Sequence, residues 1–384
     1  MHRDGRVYPP FIRLEPQEPQ PTTTTTIPKR LEVSAATSAM GSSATPQQLG
    51  QVTRFCRQFL QYDYDVELPD GETLRDAEVQ DLLFKKLFAE DTVIPLPPRR
   101  YRLRVLKKLI AVIEGAIVDW DEHGISDDLT SSLAELISTP PLPEVMELQQ
   151  KCCVTYHLSM LPPSERHADP HITLLESRAL IAAAGTTGLR TWEAGLHLGQ
   201  YLCANPELVR DKRVLELGTG TGYLAVLCAK HLDAQHVIAS DGSDDVINHL
   251  PDNLFLNGLE GSDKIAPMDL KWGHALVGTE DAQWNGGRGV DVVIGADITY
   301  DSRVVPSLVA TLMDVVSLSK GVSIIISVAE RNKASYDVFL KACEKRGLKV
   351  RDEPFPLLTR KEQNGPFYSD ATPFHICQLK YGGD

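Results

Sequence analysis

Long apolar runs, basic charge and paired cysteines are all scarce in this 384-residue chain. No apolar stretch approaches the about 20 residues that cross a bilayer, so no membrane partner is expected. The opening residues, MHRDGRVYPPFIRLEPQ, hold no apolar core of the signal-peptide kind, which argues against secretion. Lys and Arg total 39 against 52 Asp and Glu, a formal charge of −13. A surface that tracks phosphates needs the opposite balance, so direct nucleic-acid binding is not expected. The seven cysteines are odd in number and form no repeated CxxC, which reads as reduced, buried thiols in a cytoplasmic protein. No Cys/His set has zinc spacing, and Pro170 separates His167 from His171 within their short pair, so no metal is expected.

What remains is an ordinary globular composition, 42% apolar and 24% charged, long enough for about two domains. Residues 1–45 hold PQEPQPTTTTTIPKR and SAATSAMGSSATPQ, too poor in apolar surface to offset chain entropy, and read as a disordered leader. Across 46–150 the apolar residues recur three and four apart in QVTRFCRQFLQY, AEVQDLLFKKLFAE, RVLKKLIAVIEGAIVDW and DDLTSSLAELIS, which predicts an all-helical domain. From 151 to 384 the pattern alternates. Strand-length runs RVLELG, HVIASD, KIAPMDL, VDVVIGAD and GVSIIISV are separated by helical ones, the signature of a parallel sheet covered on both faces. CCVTYHL and HITLLE read as two further short strands, and FHICQLKY as a last strand suited to an antiparallel edge.

The chemistry concentrates at VLELGTGTGYLAV. Gly218, Gly220 and Gly222 lie where a strand turns into a helix, and glycine there permits unusual dihedrals and close approach of a ligand to backbone. The first helical N–H groups then face that ligand. Tight strand–helix packing would account for bare glycines as well. The dinucleotide fingerprint needs a third glycine where Tyr223 stands, so the pattern is G-x-G-x-G, with Glu216 two residues ahead. Asp241 closes the next strand about 20 residues on, where a carboxylate accepts the hydrogen bonds of a ribose diol or, more simply, caps a helix.

Together, E-x-G-x-G-x-G followed by an acid ending the second strand resembles the seven-strand methyltransferases that bind S-adenosylmethionine. Asp297 and Tyr300 form a D-x-x-Y after the fourth strand, as in the protein-lysine branch of these enzymes, methyltransferase family 16. TTGLRTWEAGLHLGQYL is similar to that branch too, with Trp192 at the tryptophan that lines the cofactor site. Its L-D-W-G motif appears as Leu270-Lys271-Trp272-Gly273, with Lys271 in place of the Asp. The resemblance implies an α/β Rossmann-like fold with S-adenosylmethionine held by Trp192, Glu216, Gly218, Thr219, Gly220, Gly222, Asp241, Trp272 and Ala296. It implies catalytic roles for Asp297 and Tyr300. Each residue also has a plain structural alternative: core for Trp192, loop anchor for Trp272, helix cap for Asp297, strand-end aromatic for Tyr300. The helical region before the catalytic domain, with FLQYD, LLFKKLF and RVLKKLI, resembles the elongation factor 2 lysine methyltransferases of fungi and animals. The expectation is therefore a monomer acting on a protein lysine. Another protein or a small molecule as acceptor, or a non-catalytic cofactor-binding protein, are the alternatives. AERN, 329–332, reads as a helix start or a substrate contact, and RKEQNGPFYSD as a hairpin loop reaching the substrate protein.

Overall fold

The computed structural model describes residues 45–89, 96–140, 143, 151–165, 167–177, 187–276 and 284–382. The chain divides into Met1–Leu31, which lies outside the described residues, and Glu32–Asp384, which contains all of them. The expected leader thus falls, but for Thr45, outside what the structure describes.

Among the described residues, five helices come first: α1 (Pro46–Leu60), α2 (Gly71–Leu74), α3 (Ala77–Leu87), α4 (Arg99–Ala116) and α5 (Asp127–Ser138). Thr45 starts α1 through a capping box with Gln48, and Pro46 occupies the first helical turn, where its missing N–H costs nothing. Val52, Phe55, Cys56 and Phe59 then fall on one face. They join Leu83, Leu87, Leu106, Leu109 and Leu129 in a core built from these helices and the turns between them.

The hairpin of β1 (Cys152–His157) and β2 (His171–Glu176) follows, antiparallel from Cys152↔Glu176 to His157↔His171. Next come α6 (Glu193–Ala204), β3 (Arg213–Leu217), α7 (Tyr223–Lys230), β4 (His236–Asp241), α8 (Asp244–Leu256) and β5 (Ile265–Asp269). The chain ends with β6 (Val292–Ala296), α9 (Val305–Leu318), β7 (Ser323–Ala329), α10 (Lys333–Lys345), β8 (Leu348–Glu353) and β9 (Phe374–Tyr381). Strands β3 to β9 make one seven-stranded sheet in the order β5-β4-β3-β6-β7-β9-β8. The first five are parallel, and β9 runs antiparallel between β7 and β8. Buried side chains on one face pack with α6 and α7, and on the other with α9 and α10, which is why β3, β6 and β7 are apolar almost throughout.

One expectation needs correction. FHICQLKY is antiparallel but not an edge, because β8, LKVRDE, pairs outside it. Only Leu348 of β8 is buried, so that strand carries no apolar pattern and is held by backbone pairing to β9. The 354–373 connection is the hairpin link between β8 and β9, and its middle packs inward. Gln363, Phe367 and Tyr368 are buried, Arg54 and Arg57 of α1 donate to the carbonyls of Gln363 and Asn364, and the Tyr368 hydroxyl donates to Gln200 of α6. Arg57 also pairs with Asp169 beside β2 at 3.2 Å, so α1 is fastened to the strand-bearing half by charge-assisted bonds.

Candidate functional site

Strand order reverses between β3 and β6, and ligands of open α/β sheets lie outside the carboxyl ends of the strands at such a point. A cavity of about 610 Å³ opens there, within the usual range for small-ligand sites. Ten of the eleven predicted site residues line it: Trp192, Glu216, Gly218, Thr219, Gly220, Asp241, Trp272, Ala296, Asp297 and Tyr300.

Gly218 has φ +68°, and a Cβ there would stand 2.7 Å from Ile298 and 3.4 Å from the Trp272 ring, both cavity walls. Gly222 is the exception. Its φ is +86° at the start of α7, and a Cβ would meet Leu250 at 2.6 Å, but it does not line the cavity. Its need for glycine comes from the helix entry and the packing of α8, not from a ligand. Between them the Gly220 N–H donates to Asp241 Oδ2 at 3.1 Å, and the Ser243 N–H donates to Oδ1 at 3.0 Å. Asp241 therefore ties the two loops together and is not the cap of α8, whose N-cap position is Ser243. Burial raises its pKa.

Beneath the loop, Glu216 is fully enclosed, opposite Ala239 of β4 and Ile294 of β6. The Thr219 hydroxyl donates to its Oε2 at 2.6 Å, yet burial pushes the carboxyl up to about 8. Trp192 precedes α6, its indole N–H donating to the Thr187 carbonyl at 3.0 Å. Across the cavity the Trp272 Nε1 is buried with no hydrogen-bond partner, a donor left over for a ligand. Lys271 spans Asp244 at 3.5 Å and Asp269 at 3.6 Å, and Asp269 is not among the lining residues.

Asp297 follows β6 in a left-handed conformation, φ +57°, rare outside glycine and costly unless the surroundings enforce it. Its N–H donates to the Ser327 carbonyl at 2.9 Å, which locks the turn. The next helix starts at Val305, so Asp297 does not cap it. Its side chain is only 9% exposed, and burial raises its pKa. Tyr300 stands at the mouth, 58% exposed.

Arg331 and Arg190 were absent from the predicted set, and both line the cavity. Arg331, in AERN after β7, bonds Asp297 at 2.7 Å and Glu193 at 3.0 Å, while Asn332 beside it caps α10. Its signal was its place at the end of a parallel strand. Thr191 is also at the wall, its hydroxyl donating to Glu176 at 2.6 Å. Among the described residues no group of three or more His, Cys, Asp and Glu is placed to hold a metal, and no helix is long and apolar enough to cross a membrane. All seven cysteines are buried free thiols.

The sheet order, with its antiparallel strand next to the last and its glycine loop at the switch point, defines a seven-strand methyltransferase fold. Residues 179–346 match the family described as lysine methyltransferase. The protein-lysine N-methyltransferase EFM3 of Chaetomium thermophilum is 60% identical over 330 residues, which cover 86% of this chain and 98% of that protein. EFM3 of Saccharomyces cerevisiae is 31% identical over 245 residues, 60% of this chain and 66% of that one. Human EEF2KMT is 30% identical over 237 residues, 57% and 69% of the two chains. The chain belongs to the lysine methyltransferase family and is an enzyme.

Proposed function

We propose that this protein transfers a methyl group from S-adenosylmethionine to the side-chain amine of a lysine in translation elongation factor 2, in the cytoplasm. The observation that carries the reading is the meeting, in one cavity, of the glycine loop, the Asp241 carboxylate and two indoles, with Asp297 and Tyr300 at its mouth. The names of the relatives support a protein lysine as acceptor, and the helical region ahead of the sheet supports the elongation factor among such acceptors.

When bound, S-adenosylmethionine supplies an electrophilic sulfonium methyl. Asp241 has lone pairs left beyond its two backbone bonds and suits a ribose diol. The unpartnered Trp272 indole N–H and the Trp192 ring suit a flat, hydrogen-bonding base, and Gly218 keeps the wall beside Trp272 free of side chain. Free lysine has a pKa near 10.4, so only about one in a few thousand is neutral at pH 7. Asp297 accepts a hydrogen bond from the entering amine and orients its lone pair, which is worth most once water is excluded. Tyr300 lends a ring face at the mouth that attracts a cationic side chain. The test is incubation with labelled S-adenosylmethionine and a whole-cell lysate. A labelled band of elongation factor 2 size, with the label on lysine after hydrolysis, supports the reading. Label confined to the small-molecule fraction defeats it.

A further inference from the structure

The mouth of the cavity carries two acids and two guanidiniums in series. Arg190 meets Glu193 at 3.1 Å, Glu193 meets Arg331 at 3.0 Å, and Arg331 meets Asp297 at 2.7 Å. Both guanidiniums also lie over the Trp192 ring, at 4.8 and 5.3 Å from its centroid. Three separate segments meet here: the start of α6, the end of β6 and the turn after β7. We propose that Arg331 is a positioning residue that keeps the acceptor lysine neutral, by cancelling the charge of the Asp297 carboxylate on which the amine docks. The inference rests on the lysine-methylation reading.

A bare carboxylate is a poor dock for a nucleophilic amine. It attracts the ammonium form and raises the amine's pKa, so the lone pair stays protonated. With Arg331 on Oδ2 and the Ala329 backbone also bonded to the carboxylate, Asp297 still has lone pairs to offer an amine while its pair with Arg331 bears no net charge. The guanidinium then sits close enough to disfavour a second cation. At about 6 Å and an effective dielectric near 20, one charge shifts an amine by about two pKa units. The Arg331 side chain is 41% exposed, so solvent reduces that to about one unit.

Among the described residues, the other charges on the surrounding elements are already engaged. Arg190 is on Glu193 from the α6 side. Glu330, next to Arg331, is held by His375 of β9 at 3.1 Å, and His375 also meets Asp352 of β8. Asp301 is paired with Arg303 in the loop after β6, and Lys333 with Asp337 in α10. On the glycine-loop side Asp241 is bound to backbone N–H groups and Glu216 to Thr219. The charge at Asp297 is thus left to Arg331. In the reaction the lysine ammonium gives its proton to solvent. The freed lone pair forms the N–C bond as the S–C electron pair returns to sulfur, and the positive charge ends on the methylated nitrogen.

Arg331→Met and Arg331→Lys test this in the full chain. Lysine-bound label in lysate protein is measured at saturating S-adenosylmethionine from about pH 6 to 10, where the ionisation of the acceptor shapes the rate. Binding of S-adenosylhomocysteine is measured alongside by calorimetry. The expected result is an acid limb moved up by about one pH unit in Arg331→Met, with about tenfold lower rate at pH 7 recovering at alkaline pH. Arg331→Lys keeps the wild-type limb, and both variants keep the heat of binding. A loss of equal factor at every pH, a shifted limb in Arg331→Lys, or lost S-adenosylhomocysteine binding overturns the proposal. Wild-type protein that labels no lysine removes the methylation reading and this inference together, whereas an unmoved limb in an active Arg331→Met removes this inference alone.

Discussion

Gly218→Ala and Gly222→Ala form a matched pair that separates a backbone requirement from a binding one. Both glycines sit at positive φ, +68° and +86°, and in both a Cβ meets a side chain well inside contact distance, 2.7 Å from Ile298 and 2.6 Å from Leu250. The left-handed conformation costs an alanine about 1–2 kcal/mol. Relieving the clash adds about 1–3 kcal/mol. The two variants should therefore lose similar stability, and for a domain of this size a Tm lower by roughly 5–15 °C. What differs is where the displaced atoms go. At Gly218 the neighbour that must move, Ile298, is a cavity wall, whereas Leu250 behind Gly222 is not. Calorimetric titration with S-adenosylhomocysteine, well below both melting points, should show at least about tenfold weaker binding for Gly218→Ala, the equivalent of about 1.4 kcal/mol. Gly222→Ala should bind nearly as wild type does. Equal affinities in the two variants would refute the placing of the ligand against the first glycine.

Asp297→Ala removes the hydrogen-bond acceptor on which the amine docks. Lysine labelling should fall by at least about a hundredfold with S-adenosylhomocysteine affinity little changed, and undiminished turnover would take Asp297 out of the reaction. Glu216 predicts a pH effect on stability. Its carboxyl titrates near 4.5 in the unfolded chain and near 8 when buried, so the folded protein holds an extra proton between those values. Stability should fall as pH rises through that window, by up to about 1.4 kcal/mol per unit, and level off above it. Urea midpoints taken from pH 5 to 9 on wild type and Glu216→Gln would show the slope and its removal. A wild-type curve as flat as the variant's would show that Glu216 is ionised in the fold.

How much was readable beforehand follows from what each element leans on. Strands β3, β4, β6 and β7 are buried on both faces, so their composition announces them. β8 offers one buried side chain in six, and backbone pairing leaves no trace in side-chain pattern. The same rule separates the site residues. Gly218, Asp241 and Asp297 stand at strand ends where local spacing and the sheet's topology locate them. Gly222 has the same spacing, but which neighbour crowds it depends on α8, and that is tertiary. Arg331 lies 34 residues from Asp297 and 138 from Glu193, and only folding brings the three together. The loop 354–373 was legible as a hairpin connection, but the burial of its Phe367 and Tyr368 depends on tertiary contacts with elements far away in the chain.

The most direct test is a calorimetric titration of the intact protein with S-adenosylhomocysteine. A saturable heat at one ligand per chain, lost in Asp241→Ala, is what a cavity built from the glycine loop and Asp241 predicts. No heat at any concentration up to the millimolar range, from folded protein, would contradict it.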